Sequence, residues 1–246
     1  MSKLYSNIYS EVNLYSKKSL RSPLVTQMIF GETFSIIKKN IHWLKIKIKE
    51  DGYTGYIRKR KFNSYSKPTH KIYTLSANFY KNPDKRKKLG KLTFGSKIKV
   101  DKKVVKFSKF GNKWIENKDI KPIQFTQKNI FFDIKIFKNI KYLWGGKSYK
   151  GIDCSALVQL FLNFNNKFCP RDAKDQIKFL NKNVKLKNIK KNDIIYWKGH
   201  VAIALSKTKL IHAYGPLKRT VVMDIKKTID LIKRTAKLNV ILIKRI

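Results

Sequence analysis

The spacing of apolar residues changes near Pro122 and divides the chain into a strand-rich first half and a mixed second half. In residues 44–49, Leu or Ile alternates with Lys, which is the period of a half-buried strand. Asp51-Gly52 then supplies a hairpin turn, and residues 53–57 return as a second strand. The first half is therefore predicted to consist of short strands separated by turns.

A second stretch, between about residues 71 and 121, repeats this order of elements, with turns at 82–84 and 111–112. Each copy has an early strand, a long polar turn, a glycine-led hydrophobic strand and a strand that contains a tryptophan. At roughly 55 residues per copy, two small β-barrels of SH3-like size fit better than one sandwich. We predict two such domains at 1–66 and 67–124, and a third domain at 125–246.

The second half mixes helical and strand patterns. Residues 129–141 are apolar at mixed spacing and are predicted to form a helix. Residues 153–165 carry the apolar stripe of a core-facing helix, and residues 172–180 indicate a second, short helix. The segments DIIYW, HVAIALS, KLIHAY and TVVMDI are typical of successive antiparallel strands. The expected fold class is α+β.

The formal net charge of +42 suggests a nucleic acid or an anionic surface as a partner, but the distribution of the charge weakens that reading. The lysines are spread along the whole chain, and 49 lysines stand against 8 arginines, whereas phosphate and base recognition usually draws on arginine. We therefore predict a solvated cationic surface without a specific nucleic-acid partner. Weak binding to polyanions at low salt is expected whatever the function.

The sequence also bears on the location of the protein. No stretch approaches the roughly 20 apolar residues that span a bilayer, and the first residues lack the apolar block of a secretory signal. We therefore predict a protein without a transmembrane segment that is cytoplasmic, unless an export signal has been removed. A monomer is also expected. Its two cysteines, Cys154 and Cys169, form no disulfide framework in a chain of this length, so free thiols are expected.

Cys154, His200 and His212 are the residues whose chemistry and placement stand out. Cys154 stands where the predicted helix 153–165 begins, and there the free N–H groups and the helix dipole favour a nucleophilic thiolate. The alternative is a buried structural cysteine, and we accept that alternative for Cys169.

The two histidines lie on neighbouring predicted strands. A turn centred on Lys207 would pair Ala202 with His212, so that His200 and His212 share a face as diagonal neighbours. His200 can then take the thiol proton while His212 orients it, as in the catalytic triads. A one-residue slip in the register would separate them, and a lone histidine on a strand is more often packed or solvated than catalytic.

Several motifs occur in the order and spacing of the NlpC/P60 peptidases, which the second half of the chain resembles. They are YLWGGKSYKGIDCSALVQLF, PRDAKDQ, LKNIKKNDIIYWKGHVAIAL and LIHAY. The segment RSPLVTQMIFGETFSIIKKNIHWLKIKIKEDGYTGYI resembles a bacterial SH3 domain. The chain is similar to the branch with two N-terminal bacterial SH3 domains, the γ-D-glutamyl-L-diamino acid peptidases. The resemblance implies a papain-like catalytic domain preceded by two SH3-like barrels.

The resemblance also implies roles for individual residues. Cys154 would be the nucleophile, His200 the base and His212 the third, orienting residue. Five neighbours would stabilise the oxyanion or shape the substrate cleft: Tyr142 beside the thiol, Asp153 and Ser155 along the cleft, Trp144 as a wall, and Arg171 as its support. The chain departs from the residues that are usual in the family at Ala156, Ala173 and Tyr214, of which the last two bear on the shape of the pocket.

The implied reaction is hydrolysis of the amide between γ-D-glutamate and a diamino acid, in short muropeptides with a free N-terminal L-alanine. In this branch an acidic residue of the first SH3 domain pairs with the free amine, and Glu32, Glu50 and Asp51 are the candidates. The sequence contains no metal-binding motif, so no metal or other cofactor is expected. A catalytically inactive wall-binding protein and a polyanion-binding or nucleic-acid-binding protein are the alternatives.

Overall fold

A computed structural model describes residues 3–180 and 182–246 of the chain. The backbone groups into two compact units. One contains the residues up to Phe125 together with Lys147–Tyr149, and the other contains Thr126–Gly146 and Lys150–Ile246. Within the described residues, no helix combines the length and the apolar character that crossing a bilayer requires.

The first strands of the first unit form an antiparallel sheet with a core of its own. They are β1 (Leu4–Ser6), β2 (Glu11–Tyr15), β3 (Leu24–Ile29), β4 (Thr33–Lys39), β5 (Trp43–Ile48), β6 (Thr54–Arg58) and β7 (Asn63–Ser64). Their order in the sheet is β3-β2-β6-β5-β4-β1-β7. The predicted hairpin is confirmed: Leu44 pairs with Ile57, and Gly52 adopts the left-handed conformation (φ 74°) in the turn.

The later strands of the first unit surround a second core. They are β8 (His70–Ile72), β9 (Ser76–Tyr80), β10 (Lys88–Thr93), β11 (Lys97–Ile98), β12 (Lys102–Lys103), β13 (Phe107–Phe110), β14 (Lys113–Glu116) and β15 (Ile120–Pro122). The first unit also contains the short strand β16 (Lys147–Ser148). One sheet has the order β10-β9-β14-β13-β12 and another β11-β8-β15. Ile72, Phe79, Leu92 and Ile115 belong to this core, and the predicted turns lie between β9 and β10 and between β13 and β14.

The second unit combines helices with an antiparallel sheet. Its elements are β17 (Gly151–Ile152), α1 (Cys154–Phe164), α2 (Ala173–Phe179), β18 (Lys182–Asn183), β19 (Ile194–Trp197), β20 (His200–Ala204), β21 (Lys209–Tyr214), β22 (Arg219–Asp224), α3 (Ile225–Ala236) and β23 (Leu242–Arg245). The main sheet has the order β18-β23-β19-β20-β21-β22. The two helices predicted after residue 150 and the four predicted strands are confirmed.

Two elements near the C-terminus, α3 and β23, were not predicted from the sequence. Asp224 accepts a hydrogen bond from the backbone N–H of Lys227 and so begins α3. Ile225 and Ile232 of this helix pack in one core with Leu210 and Tyr214 of β21. The helix therefore closes one side of the strands that carry the two histidines.

The helix predicted at residues 129–141 is wrong. The segment forms turns and one short 3-10 helix, Ile134–Phe137, and Asn139 adopts a left-handed conformation (φ 67°) just beyond it. Phe131, Ile134 and Phe137 are buried and stand three residues apart. A three-residue repeat suits the 3-10 turn, which places all three side chains on one side, whereas an α-helix would need the i+4 positions as well.

Candidate active site

Cys154 is the first residue of α1, as the sequence predicts. Asp153 caps the helix, because its carboxylate accepts a hydrogen bond of 2.8 Å from the backbone N–H of Ala156. α1 also contacts β20 and β21, the two strands of the histidines. The thiol therefore lies at a helix start that is capped by Asp153 and held in place by the packing of α1 on β20 and β21.

The surroundings of the thiol differ from the expectation of a stabilised thiolate. The Cys154 residue is only 7% exposed, and burial, with a contribution from the Asp153 carboxylate, raises the pKa of its thiol to about 12. The backbone N–H groups of Val201 and Ser155 face the sulfur and act in the opposite direction. Desolvation thus outweighs the helix start, and the resting thiol is protonated at neutral pH.

A buried network of charged hydrogen bonds supports the helix start. The Arg171 guanidinium donates to both carboxylate oxygens of Asp153, at 3.0 and 2.6 Å, and to the Ser155 hydroxyl at 2.9 Å. The Ser155 hydroxyl in turn donates to Asp153 at 3.2 Å. The backbone N–H of Gly145 also donates to Asp153, at 2.9 Å. All three side chains of this network are buried, and they support the loop and the helix around the thiol. That Asp153 and Ser155 also line the substrate cleft stays a prediction.

The two histidines meet as the predicted register requires. β20 and β21 pair Ile203 with Ile211 and Ala204 with Leu210. Continued by one pair, this register sets Ala202 opposite His212, so that His200 is a diagonal neighbour of His212. Nε2 of His200 and Nδ1 of His212 lie 2.9 Å apart. Gly199 makes the tight turn before His200 possible, because its backbone is left-handed (φ 72°).

Both histidines are uncharged at neutral pH. Burial lowers the pKa of His200 to about 4, and burial together with the neighbouring His200 lowers the pKa of His212 to about 3. Because Nε2 of His200 contacts His212, Nδ1 is the nitrogen left to take a proton from the thiol. For Nδ1 to be free of hydrogen, Nε2 must carry the hydrogen and donate it to His212.

Tyr142 and Trp144 precede the helix start on the same segment of the second unit. Burial raises the pKa of the Tyr142 hydroxyl, and the nearby charge of a Cys154 thiolate raises it further, so the hydroxyl remains a donor beside the sulfur. The backbone N–H of Tyr142 donates to the carbonyl of Lys218 at 2.9 Å, which fixes its position. Trp144 is 64% exposed.

Two aromatic residues next to the histidines received no role in the site from the sequence. Trp197 pairs with His200 across the β19–β20 turn, and their ring centroids lie 5.5 Å apart. Tyr214 contacts the rings of both histidines. The two-residue turn at 198–199 was the signal that could have placed Trp197. Tyr214 was noted only as a departure from the family pattern.

The three acidic candidates of the first unit all have partners within that unit. Glu32 is buried and forms a 2.6 Å ion pair with Lys147, and burial raises its pKa while the ammonium opposes that shift. Glu50 accepts hydrogen bonds from the backbone N–H and the hydroxyl of Thr33. Asp51 accepts one from the backbone N–H of Tyr53. The part of the chain that the structure describes contains no group of three or more His, Cys, Asp or Glu side chains that could hold a metal ion.

Family models place this arrangement in a known class. Residues 139–230 match the NlpC/P60 family, and residues 14–62 match the bacterial dipeptidyl-peptidase SH3 domain. The first match contains Cys154, His200 and His212, and the second contains β3 to β6. The chain therefore carries a bacterial SH3 domain and an NlpC/P60 domain, which is the domain of a family of cysteine peptidases.

Individual relatives support this assignment. The gamma-D-glutamyl-L-lysine dipeptidyl-peptidase of Bacillus subtilis (strain 168) is 28% identical over 230 residues, which are 83% of this chain and 77% of the relative. Dipeptidyl-peptidase 6 of Lysinibacillus sphaericus is 39% identical over 72 residues, 29% of this chain and 27% of that one.

The fold is also similar to that of a crystallised protein. The structure of an NlpC/P60 family protein from Bacillus cereus ATCC 10987 superposes with a TM-score of 0.84 at 17% identity, covering 98% of this chain and 99% of that chain. The predicted α+β NlpC/P60 fold with an SH3-like domain is confirmed.

Proposed function

We propose that the chain hydrolyses the γ-D-glutamyl–diamino acid amide of short peptidoglycan peptides that carry a free N-terminal L-alanine. The observation that carries the proposal is the 2.9 Å contact between Nε2 of His200 and Nδ1 of His212. His200 begins β20, and the backbone N–H of the next residue, Val201, faces the Cys154 sulfur. The names of the two relatives favour this substrate class, because both are dipeptidyl-peptidases and one is named a gamma-D-glutamyl-L-lysine dipeptidyl-peptidase.

Proton transfer to His200 accompanies the attack in this mechanism. Because the resting thiol and imidazole are both neutral, Nδ1 of His200 removes the thiol proton as the sulfur bonds to the γ-carbonyl carbon. The carbon–nitrogen bond then breaks, and His200 returns the proton to the departing amine. A water molecule, deprotonated by His200, then attacks the thioester carbon. The carbon–sulfur bond breaks, the γ-D-glutamyl product leaves as a carboxylic acid, and His200 returns its proton to the Cys154 sulfur.

The developing oxyanion needs hydrogen-bond donors close to the sulfur. Tyr142 offers a hydroxyl that stays protonated, because burial and the nearby thiolate both raise its pKa. The backbone N–H of Ser155 at the start of α1 offers a second donor. His212 stabilises the imidazolium of His200 through the Nε2–Nδ1 hydrogen bond.

The first unit supplies the recognition of the free amine in this proposal. Residues 67–124 repeat the element order of the first barrel around their own core, which favours a second SH3-like domain there. Glu32 and Asp51 are the proposed acidic partners of the amine. Glu32 can act so only by sharing its carboxylate with Lys147, which already lies 2.6 Å away. The domain boundaries at residues 66 and 124, the monomeric state and the cytoplasmic location stay predictions.

The decisive experiment is incubation with L-Ala-γ-D-Glu-L-Lys and with the corresponding diaminopimelate peptide, followed by mass spectrometry of the products. Wild type is expected to release L-Ala-γ-D-Glu, while Cys154→Ala releases none and Cys169→Ala keeps most of the activity. Equal turnover by wild type and Cys154→Ala would overturn the mechanism. No turnover by wild type, combined with co-sedimentation with purified peptidoglycan, would favour the wall-binding alternative.

The amine partner is tested by the ratio of kcat/KM for the free and N-acetylated peptides, because this ratio does not depend on protein stability. Asp51→Asn or Glu32→Gln is expected to bring the ratio towards one, and the variant that does so identifies the partner. Glu32→Gln also leaves Lys147 buried without a carboxylate, so its free energy of unfolding should fall by about 3–5 kcal/mol. An unchanged ratio in both variants would reject these two candidates and leave Glu50.

A further inference from the structure

Tyr214 packs on both histidines of the site. Its ring lies nearly parallel to that of His212, with centroids 5.0 Å apart and an angle of 15° between the planes. Its ring centroid is also 5.2 Å from that of His200, at an angle of 54°. Tyr214 is only 5% exposed, so the stack is shielded from water. The ring thus forms a wall against the two residues that handle the proton.

His212 has little else to orient it. An imidazole that serves a reacting group is usually fixed by a hydrogen bond from its second nitrogen. In His212, Nδ1 contacts His200, while Nε2 is buried and has no hydrogen-bond partner among the described residues. His212 is fully buried, and its ring can still turn about the side-chain bonds unless packing prevents it. The parallel stack on Tyr214 is the contact that resists this rotation.

Tyr214 is itself anchored at both ends. Its backbone is part of β21, and its hydroxyl lies 3.0 Å from the hydroxyl of Thr235 on α3. Since the single hydroxyl hydrogen of Thr235 is donated to the carbonyl of Leu231 at 2.8 Å, the tyrosine is the donor of the pair. Tyr214 also belongs to the core that contains Ile232 of α3. The ring is thus a fixed surface against which His212 is held.

We propose that Tyr214 is a positioning residue, whose stacked ring holds Nδ1 of His212 towards Nε2 of His200 and so presents Nδ1 of His200 to the thiol. This inference rests on the proposed roles of Cys154, His200 and His212. It predicts that removing the aromatic ring slows proton transfer from the thiol to His200, whereas the hydroxyl only anchors the ring through Thr235. A ring that merely filled space would have no specific effect on proton transfer.

The test compares Tyr214→Phe, which keeps the ring, with Tyr214→Leu, which removes it. The control is Ile232→Ala, which weakens the same core but has no ring contact with the histidines. Two rates are measured: turnover of L-Ala-γ-D-Glu-L-Lys, and alkylation of Cys154 by iodoacetamide between pH 3.5 and 8, located by peptide mass spectrometry. The alkylation rate needs no peptide substrate, so it reports on the histidines even where the proposed substrate fails.

Tyr214→Leu is expected to lower kcat by about tenfold or more with KM nearly unchanged, as for other residues that orient a reacting group. The acid limb of its alkylation rate should move up from about pH 4 towards 6.5, because water reaches the histidines and burial lowers their pKa less. Tyr214→Phe and Ile232→Ala should stay within about threefold of wild type in kcat and keep the wild-type acid limb.

A double-mutant cycle with His212→Ala separates positioning from general damage. If Tyr214 acts through His212, adding Tyr214→Leu to His212→Ala changes neither rate further. Equal losses in Tyr214→Leu and Ile232→Ala, or additive losses in the double variant, would overturn the proposal. If Tyr214→Leu does not fold, Tyr214→Met, which fills the space without a ring, takes its place in the same cycle.

Discussion

The two sides of the candidate active site are held in different ways. On the helix side, charged hydrogen bonds among Asp153, Ser155 and Arg171 support the start of α1. On the strand side, His200 and His212 share one hydrogen bond and are otherwise enclosed by rings, with Tyr214 in contact with both. One side is thus fixed by charge and the other mainly by packing.

The difference follows from what each side does in the proposed reaction. The helix start must keep one backbone geometry, and a buried carboxylate–guanidinium pair supplies strong, directional hydrogen bonds for that purpose. His200 must gain and lose a proton, and a fixed charge beside it would hold it in one state. Apolar rings restrict the position of the imidazoles without adding a charge, and they lower the pKa values through burial.

Removing the charge on the helix side should have the largest effect on stability. Arg171→Met leaves the buried Asp153 carboxylate without its cation, so the free energy of unfolding should fall by about 3–5 kcal/mol. Urea denaturation at pH 7 measures the change. The double variant Asp153→Asn/Arg171→Met should recover part of the loss, because no unpaired charge then remains; a double variant that is less stable still would show that the pair acts through more than charge.

Acid should lower the free energy of unfolding through the two histidines of the strand side. The pKa values of His200 and His212 are lowered to about 4 and about 3 in the folded protein, below the usual 6.5 of the unfolded chain. As the pH falls below 6.5, the unfolded chain therefore binds protons first. The free energy of unfolding should be independent of these residues above about pH 7 and fall by about 2 kcal/mol for each histidine on going to pH 5.

The comparison of wild type with His200→Gln/His212→Gln isolates this effect, because every other titrating group contributes to the stability of both proteins. Burial raises the pKa of Glu32, for example, and that shift favours the folded state in acid. The stability loss from pH 7 to pH 5 should be smaller in the double variant by about 4 kcal/mol. Equal losses in the two proteins would contradict the neutral, buried state of the histidines.

The smallest effect is expected from Ser155→Ala. The Ser155 hydroxyl bridges Asp153 and Arg171, but these two residues keep their direct contacts of 3.0 and 2.6 Å without it. The free energy of unfolding should therefore fall by only about 1 kcal/mol. A loss as large as that of Arg171→Met would mean that the hydroxyl, and not the ion pair, fixes the helix start.

Local pattern predicted the parts of the site that follow from spacing along the chain. The apolar stripe of residues 153–165 placed Cys154 at a helix start, and alternation with a short turn placed His200 and His212 on one face. The same reasoning failed at residues 129–141, because mixed spacing cannot distinguish an α-helix from turns that bury every third residue. It also missed α3, which packs on the histidine strands through Ile225 and Ile232.

The sequence by itself identified the candidate nucleophile Cys154, the two candidate catalytic histidines and the resemblance to the NlpC/P60 domain, since these depend on residue identity and local period. The tertiary structure decided the protonation states of Cys154, His200 and His212 and the contacts that hold these side chains in place. The protonated Cys154 thiol follows from burial by distant parts of the second unit, and the orientation of His212 follows from Tyr214, whose ring is anchored by Thr235 of α3. Desolvation and ring packing depend on the groups that surround an atom in space, and the spacing of residues along the chain does not record them.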